Sequence, residues 1–137
     1  MNSERPVYPT AASPLQERDG ISVRVERVEF SPELDAPPDR PFAFAYALTI
    51  HNGSPAAVTL KGRKWVIKEC ATGRCHVIEG DGLAGRFPRL EPGTSHRFEN
   101  YHVVAADSVA EGSFLACDDE NRCLLVRVPK FTLNIKS

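Results

Sequence analysis

From Phe42 to Ile50, large and small residues alternate without a break. Phe42, Phe44, Tyr46, Leu48 and Ile50 share one parity, while Ala43, Ala45, Ala47 and Thr49 share the other. A helical period scatters such sets around an axis, whereas a strand puts each set on its own face. The segment is therefore a strand whose large face belongs in a core. The alanine face is expected on the outside, either lightly covered or as a contact surface for another chain. Pro32, Pro37, Pro38 and Pro41 precede it and make residues 31–41 a loop.

The rest of the chain repeats this pattern in shorter pieces. Ile21, Val23 and Val25 alternate, and Val28 and Phe30 resume on the opposite parity, which predicts a β-bulge near Glu26 and Arg27. Asn52-Gly53 marks a turn, and a short strand is expected over 57–60. Trp65 and Ile67 share a parity and point inward. Residues 75–80 return as a hairpin, drawn with Cys70 opposite Cys75, Ile67 opposite Ile78 and Glu69 opposite His76. Glu91-Pro92-Gly93-Thr94 has the residues of a type II turn. Further strands are expected over 96–104, over 112–117 with 123–128 as a second hairpin, and over 131–135 after Pro129. No helical period of useful length occurs. Many short strands between turn signals predict an antiparallel β-sandwich.

With 137 residues and 42% hydrophobic content, the chain suits one globular domain. A net charge of −1 gives no reason to expect nucleic acid or an anionic membrane as a partner. No apolar run approaches the ~20 residues that span a bilayer. Residues 1–20, with Pro6, Pro9 and Pro14, read as a flexible tail ahead of a domain over 21–137. No apolar signal segment is visible there, so a cytoplasmic location is expected, where cysteines favour the thiol state.

At 63–92 the pattern becomes specific. The ApaG (CorD) family shows "TI-x-N", then "R-x-W-x-I", then "G-x-G-x-x-G-x-x-P-x-L-x-P-G", and finally "I/V-P-x-F-x-L". Here these are Thr49-Ile50-His51-Asn52, Arg63-Lys64-Trp65-Val66-Ile67, Gly80 to Gly93 and Val128-Pro129-Lys130-Phe131-Thr132-Leu133. In order and spacing the chain resembles that family over about residues 21–135. It departs at Ala110, where the family has methionine, and its four cysteines lie outside the pattern, as in a divergent member. The resemblance implies an immunoglobulin- or fibronectin III-like sandwich and a protein-interaction module. It also implies links to cobalt and magnesium handling and to diadenosine polyphosphates, without a settled activity.

Gly80, Gly82 and Gly85 match a GxGxxG string, but Pro88 and Pro92 forbid the helix that a dinucleotide fold needs after it. Two roles stay open beside plain strand packing. One is an anion nest, with Arg86 and Arg89 for a nucleotide polyphosphate or pyrophosphate. The other is a partner-binding loop with Phe87 as its aromatic anchor. Cys70 with Cys75, and Cys117 with Cys123, flank two hairpin turns on outward faces. Thiols, two hairpin disulfides or dithiols, and one four-cysteine metal site all remain open. In a fibronectin-like sandwich, however, the two turns lie at opposite ends. His96 and His102 are ~20 Å apart along one strand and cannot share a proton or metal. Asp118-Asp119-Glu120 reads as a solvated hairpin tip. No nucleophile motif stands out. The expectation is a noncatalytic module without cofactor, binding another protein.

Overall fold

A computed structural model describes residues 20–135. The tail expected over residues 1–20 lies almost wholly outside the described residues. The elements are β1 (Ile21–Phe30), β2 (Phe42–Asn52), β3 (Val58–Glu69), β4 (Cys75–Asp81), β5 (Arg89–Leu90), β6 (Ser95–Val104), β7 (Ser108–Asp118) and β8 (Cys123–Leu133). All pairings are antiparallel. One sheet has the order β1-β2-β6, and the other β4-β3-β7-β8 with β5 also on β3. The fold is the expected antiparallel β-sandwich.

The large face of β2 makes one half of the core, with Phe44, Tyr46, Leu48 and Ile50 all at most 2% exposed. Leu60, Trp65, Ile67, Phe114, Leu124 and Val126 face them from the second sheet. Each such side chain contributes about 1.5–3 kcal/mol by leaving water. Trp65 sits at the centre, with its ring centroid 5.2 Å from Tyr46 and 6.4 Å from Phe114. It lies flat on Gly112, where an added Cβ would come within 2.6 Å of the indole. Glycine at 112 thus makes room for the tryptophan.

The predicted bulge falls between Val25 and Arg27. The short strand expected over 57–60 and the run through Trp65 and Ile67 merge into the single long β3, and a register shift between Leu60 and Gly62 absorbs the change of parity. In the same way, β8 runs straight through Pro129, with a shift opposite it between Ala110 and Gly112. An edge strand tolerates that proline because no neighbour needs its N–H. In the second hairpin, Phe114 faces Val126 and Ala116 faces Leu124, as expected.

One pair of alternatives is decided and one register is corrected. The alanine face of β2 is the covered alternative and not an open contact surface, because Ala43 and Ala47 are buried. Ala47 lies between Arg27 and Glu99, and Ala43 beside Val103, whose longer side chains flank the small residues. The β3–β4 register is offset by two residues. Trp65 pairs with Ile78, Ile67 with His76 and Lys68 with Cys75. The turn causes this. Glu69 N donates to Arg74 O at 2.8 Å, Gly73 takes φ 75°, and Thr72 Oγ1 donates to Glu69 Oε1 at 2.8 Å. The ladder closes at Glu69 and leaves Cys70 inside the turn.

β1 packs beside β8 and closes one side of the sandwich. The other side stays open between β4 and β6, where Arg40, His76, Val103 and Val104 help line a cavity of about 270 Å³.

Candidate functional site

Downstream of β4 the chain makes a tight hairpin over Leu83-Ala84-Gly85-Arg86. Leu83 N donates to Arg86 O at 2.7 Å, and Arg86 N donates back to Leu83 O at 3.2 Å. Ala84 and Gly85 have φ of 53° and 88°. Positive φ at both central positions is the type I′ turn, in which asparagine-glycine is the usual pair. Leu83 is buried and pins the turn to the core.

The glycines have local reasons. A Cβ on Gly82 would sit 2.0 Å from Arg86 O, and one on Gly80 would sit 2.6 Å from the Arg63 guanidinium. Arg63 Nη1 donates to Asp81 O at 2.9 Å and so lies across that glycine. The amides are also engaged. Gly82 N donates to Lys61 O, Leu83 N to Arg86 O, Gly85 N to Asp81 O and Arg86 N to Leu83 O. An anion nest needs such groups unspent.

The candidate side chains divide. Arg86 is exposed, and Phe87 is 51% exposed with its ring against Gly82. Arg89 is instead tied down. Its Nη2 meets Asp119 Oδ2 at 2.6 Å, and its Nη1 meets Glu91. The Asp119 hydrogen bond is the main reason that its pKa is raised. Beyond it, Glu91 to Thr94 forms the expected turn, with Gly93 at φ 81° and Thr94 N donating to Glu91 O.

Asn52 underpins this region from inside. It is fully buried. Its Nδ2 donates to Ala56 O and Leu90 O, both at 2.9 Å, and its Oδ1 accepts from Ser54 N at 3.0 Å and Ser54 Oγ at 2.6 Å. Gly93 N also donates to Asn52 O. One side chain thus joins the end of β2, the approach to β3 and the short β5. The "TI-x-N" step was the available signal for it.

The cysteines do not converge. Cys117 and Cys123 face each other across β7 and β8 and form a disulfide. Cys70 and Cys75 are free and exposed. Cys70 adjoins Asp107, before β7, whereas Cys117 pairs with Thr59 at the start of β3. The two pairs are about 30 Å apart along β3, so one metal ion cannot reach all four. Among the described residues no cluster of three or more His, Cys, Asp or Glu is placed to hold a metal.

The acidic tip is not uniformly solvated. Asp118 is buried, and Oδ1 accepts from the N–H groups of Glu120 and Arg122 while Oδ2 meets Arg122 Nε at 2.8 Å. Desolvation alone would raise its pKa, but these hydrogen bonds outweigh it and hold the carboxyl below its usual range. They lock the turn that carries Asp119 toward Arg89.

His76 meets Arg40, not Glu69. Burial and then the Arg40 charge lower its pKa. His51 Nδ1 and Ser95 Oγ are 2.8 Å apart on an exposed face, a two-member contact across β2 and β6. His102 is 4% exposed among Tyr46, Trp65 and Phe131. Burial, with a smaller push from His76, lowers its pKa to about 4. His102 Nε2 and Trp65 Nε1 find no hydrogen-bond partner among the described residues.

The architecture and its braced turn define a small all-β sandwich domain. Comparison with known proteins places it further: the ApaG domain model matches residues 32–117, and the chain belongs to that family. It is 32% identical over 114 residues to Protein ApaG of Acidithiobacillus ferrooxidans, covering 82% of this chain and 88% of the relative. It is 31% identical over 123 residues to Protein ApaG of Stenotrophomonas maltophilia, covering 88% and 96%. The crystal structure of the ApaA protein from Bordetella pertussis superposes with a TM-score of 0.71 at 21% identity, over 94% of this chain and 97% of that one, and so shares the fold. Among the described residues no helix is long and apolar enough to cross a membrane.

Proposed function

We propose that the chain is a noncatalytic interaction module that docks another protein through the turn bearing Arg86 and Phe87. The observation that carries this reading is Phe87 itself, a large aromatic left 51% exposed on a tightly hydrogen-bonded hairpin. A rigid exposed aromatic beside an arginine is the composition of an interface anchor, because little side-chain freedom is lost on docking. The strand order β1-β2-β6 against β4-β3-β7-β8 supports an immunoglobulin- or fibronectin III-like description of the module. A cytoplasmic location accords with the sequence reading.

Polyphosphate binding has less support. Four of the turn's amides, those of Gly82, Leu83, Gly85 and Arg86, are spent inside the protein, and of its two candidate arginines one is held by Asp119 and Glu91. The test is quantitative crosslinking of the purified domain in lysate from its source cells, with Phe87→Ala beside wild type. The expected result is loss of specific crosslinked species while the melting temperature stays the same. Unchanged crosslinking would defeat the proposal. So would a drop of several degrees in melting temperature, which would make Phe87 a packing residue.

A further inference from the structure

Among the described residues the two sheets have four edges, and three carry features that discourage strand addition. β1 has a bulge and the charges of Arg24, Glu26, Arg27 and Glu29. β6 presents Arg97 and Glu99. β8 has Pro129, Lys130 and a register shift opposite them. Bulges, prolines and charges are the usual guards of a sheet edge. β4 has neither bulge nor proline and no Lys or Arg, and its one histidine, His76, shares the inward parity of Ile78 and meets Arg40 there. Its pairing with β3 is unbroken from Lys68–Cys75 to Gly62–Asp81. Its carboxylates are Glu79, which meets Lys64 Nζ at 3.8 Å on the outer face, and Asp81 at its far end. Val77, the third of its seven residues, is 50% exposed.

The backbone of β4 is oriented for addition. Its ladder is bracketed by Glu69 N to Arg74 O and Gly82 N to Lys61 O, both at 2.8 Å. Antiparallel pairs alternate, so even-numbered residues turn their N–H and C=O groups toward β3. Cys75, Val77 and Glu79 turn theirs to the outer edge.

The geometry points to a second copy of this chain as the occupant, with β4 pairing antiparallel to β4 about a twofold axis at Val77. The side-chain rows select this partner and this register. On the outer face Val66 lies beside Val77, Lys64 beside Glu79 and Lys68 beside Cys75. A twofold at Val77 continues the central row as Val66, Val77, Val77 and Val66. The flanking rows become Lys64, Glu79, Cys75 and Lys68, so each Glu79 has Lys64 on one side and the second copy's Cys75 on the other, with a lysine at both ends of the row. Shifting the axis to Ile78 would set Val77 against Glu79. Shifting it to His76 would set Val77 against Cys75 and break the valine row. Cross-strand apolar pairs and opposite charges are what stabilise a sheet. The contact is short, below the ~1,200 Å² of a standard interface, so the dimer forms reversibly at micromolar or higher concentration. The association is independent of the Phe87 turn.

Sedimentation equilibrium from micromolar to millimolar protein tests it under reducing and non-reducing conditions. The expected result is a reversible shift from monomer to dimer in both. Val77→Lys should weaken it about tenfold or more, because two like charges then meet on the axis, with the melting temperature of the monomer unchanged. In a Cys70→Ser/Cys75→Ser background, Val77→Cys should crosslink rapidly under copper-phenanthroline. Directly opposed Cα atoms at about 5.5 Å lie within disulfide reach. Glu111→Cys, on the same face but two strands inward, should not. A wild-type protein that stays monomeric across the range would overturn the inference. So would a dimer unaffected by Val77→Lys, or a Val77→Cys chain that crosslinks no faster than Glu111→Cys. None of these outcomes bears on capture through Phe87.

Discussion

Replacing Asn52 by alanine tests whether one buried amide holds the β2–β3 connection and β5 together. The side chain makes four hydrogen bonds, two as donor and two as acceptor. Its orientation follows from chemistry, since both Nδ2 partners are carbonyl oxygens and both Oδ1 partners are donors. Each such bond is worth about 1 kcal/mol net, and a buried group left unpaired costs about 1–3 kcal/mol. Ala56 O and Leu90 O lose a donor, and Ser54 loses its acceptor. The expected loss is about 3–4 kcal/mol, a fall of roughly 12–16 °C in Tm for a domain of this size. Asn52→Asp sharpens the test. It keeps the acceptor but turns a carboxylate oxygen toward two carbonyls. At pH 7 it should be less stable than Asn52→Ala, with the gap narrowing as acid protonates the carboxyl. Urea melts of the three proteins at pH 7 and pH 5 make the comparison. A loss below about 1 kcal/mol in Asn52→Ala, or Asn52→Asp as stable as wild type at pH 7, would refute the reasoning.

Two more predictions follow from the core and the turn. His102 is depressed to about 4 from an ordinary 6.5. Unfolding therefore takes up a proton between those values, so stability is full above about pH 6.5 and declines by up to about 3 kcal/mol as pH falls toward 4. His102→Phe should flatten that part of the pH–stability profile in urea melts, leaving the carboxylate contributions. Ala84 occupies a left-handed position at φ 53°. Ala84→Asn should stabilise by about 0.5–1 kcal/mol, read as a rise in the urea midpoint with unchanged slope.

What the chain declares about itself is what a single strand can encode. Phe42 to Ile50 shows its face by parity, and Val25 to Val28 shows its bulge by a change of parity. Pro92-Gly93 shows its turn type by the φ values those residues favour. Relations between strands were less legible. Ala43 and Ala47 look outward in their own period, yet the longer side chains on β1 and β6 cover them. The β3–β4 register depended on where Thr72 and Gly73 close the turn, and the cysteine spacing suggested a different closure. The glycine loop was recognisable, but not as a type I′ turn, since alanine stands where asparagine is usual. Asn52 and Asp118 looked like ordinary turn residues. Their weight comes from carbonyls and amides that only the folded chain brings to them.

The sandwich has one indole, Trp65, and it is 1% exposed with the His102 ring centred 4.5 Å away. Light absorbed by this protein's tryptophan is thus emitted from its interior, beside a titratable ring. An imidazolium quenches indole emission more strongly than a neutral imidazole does. Proton entry at His102 would therefore dim Trp65 while the sheets still hold together, and parting of the sheets would then shift the emission to the red. The chain carries its own optical record of the order in which its centre becomes wet and its layers separate.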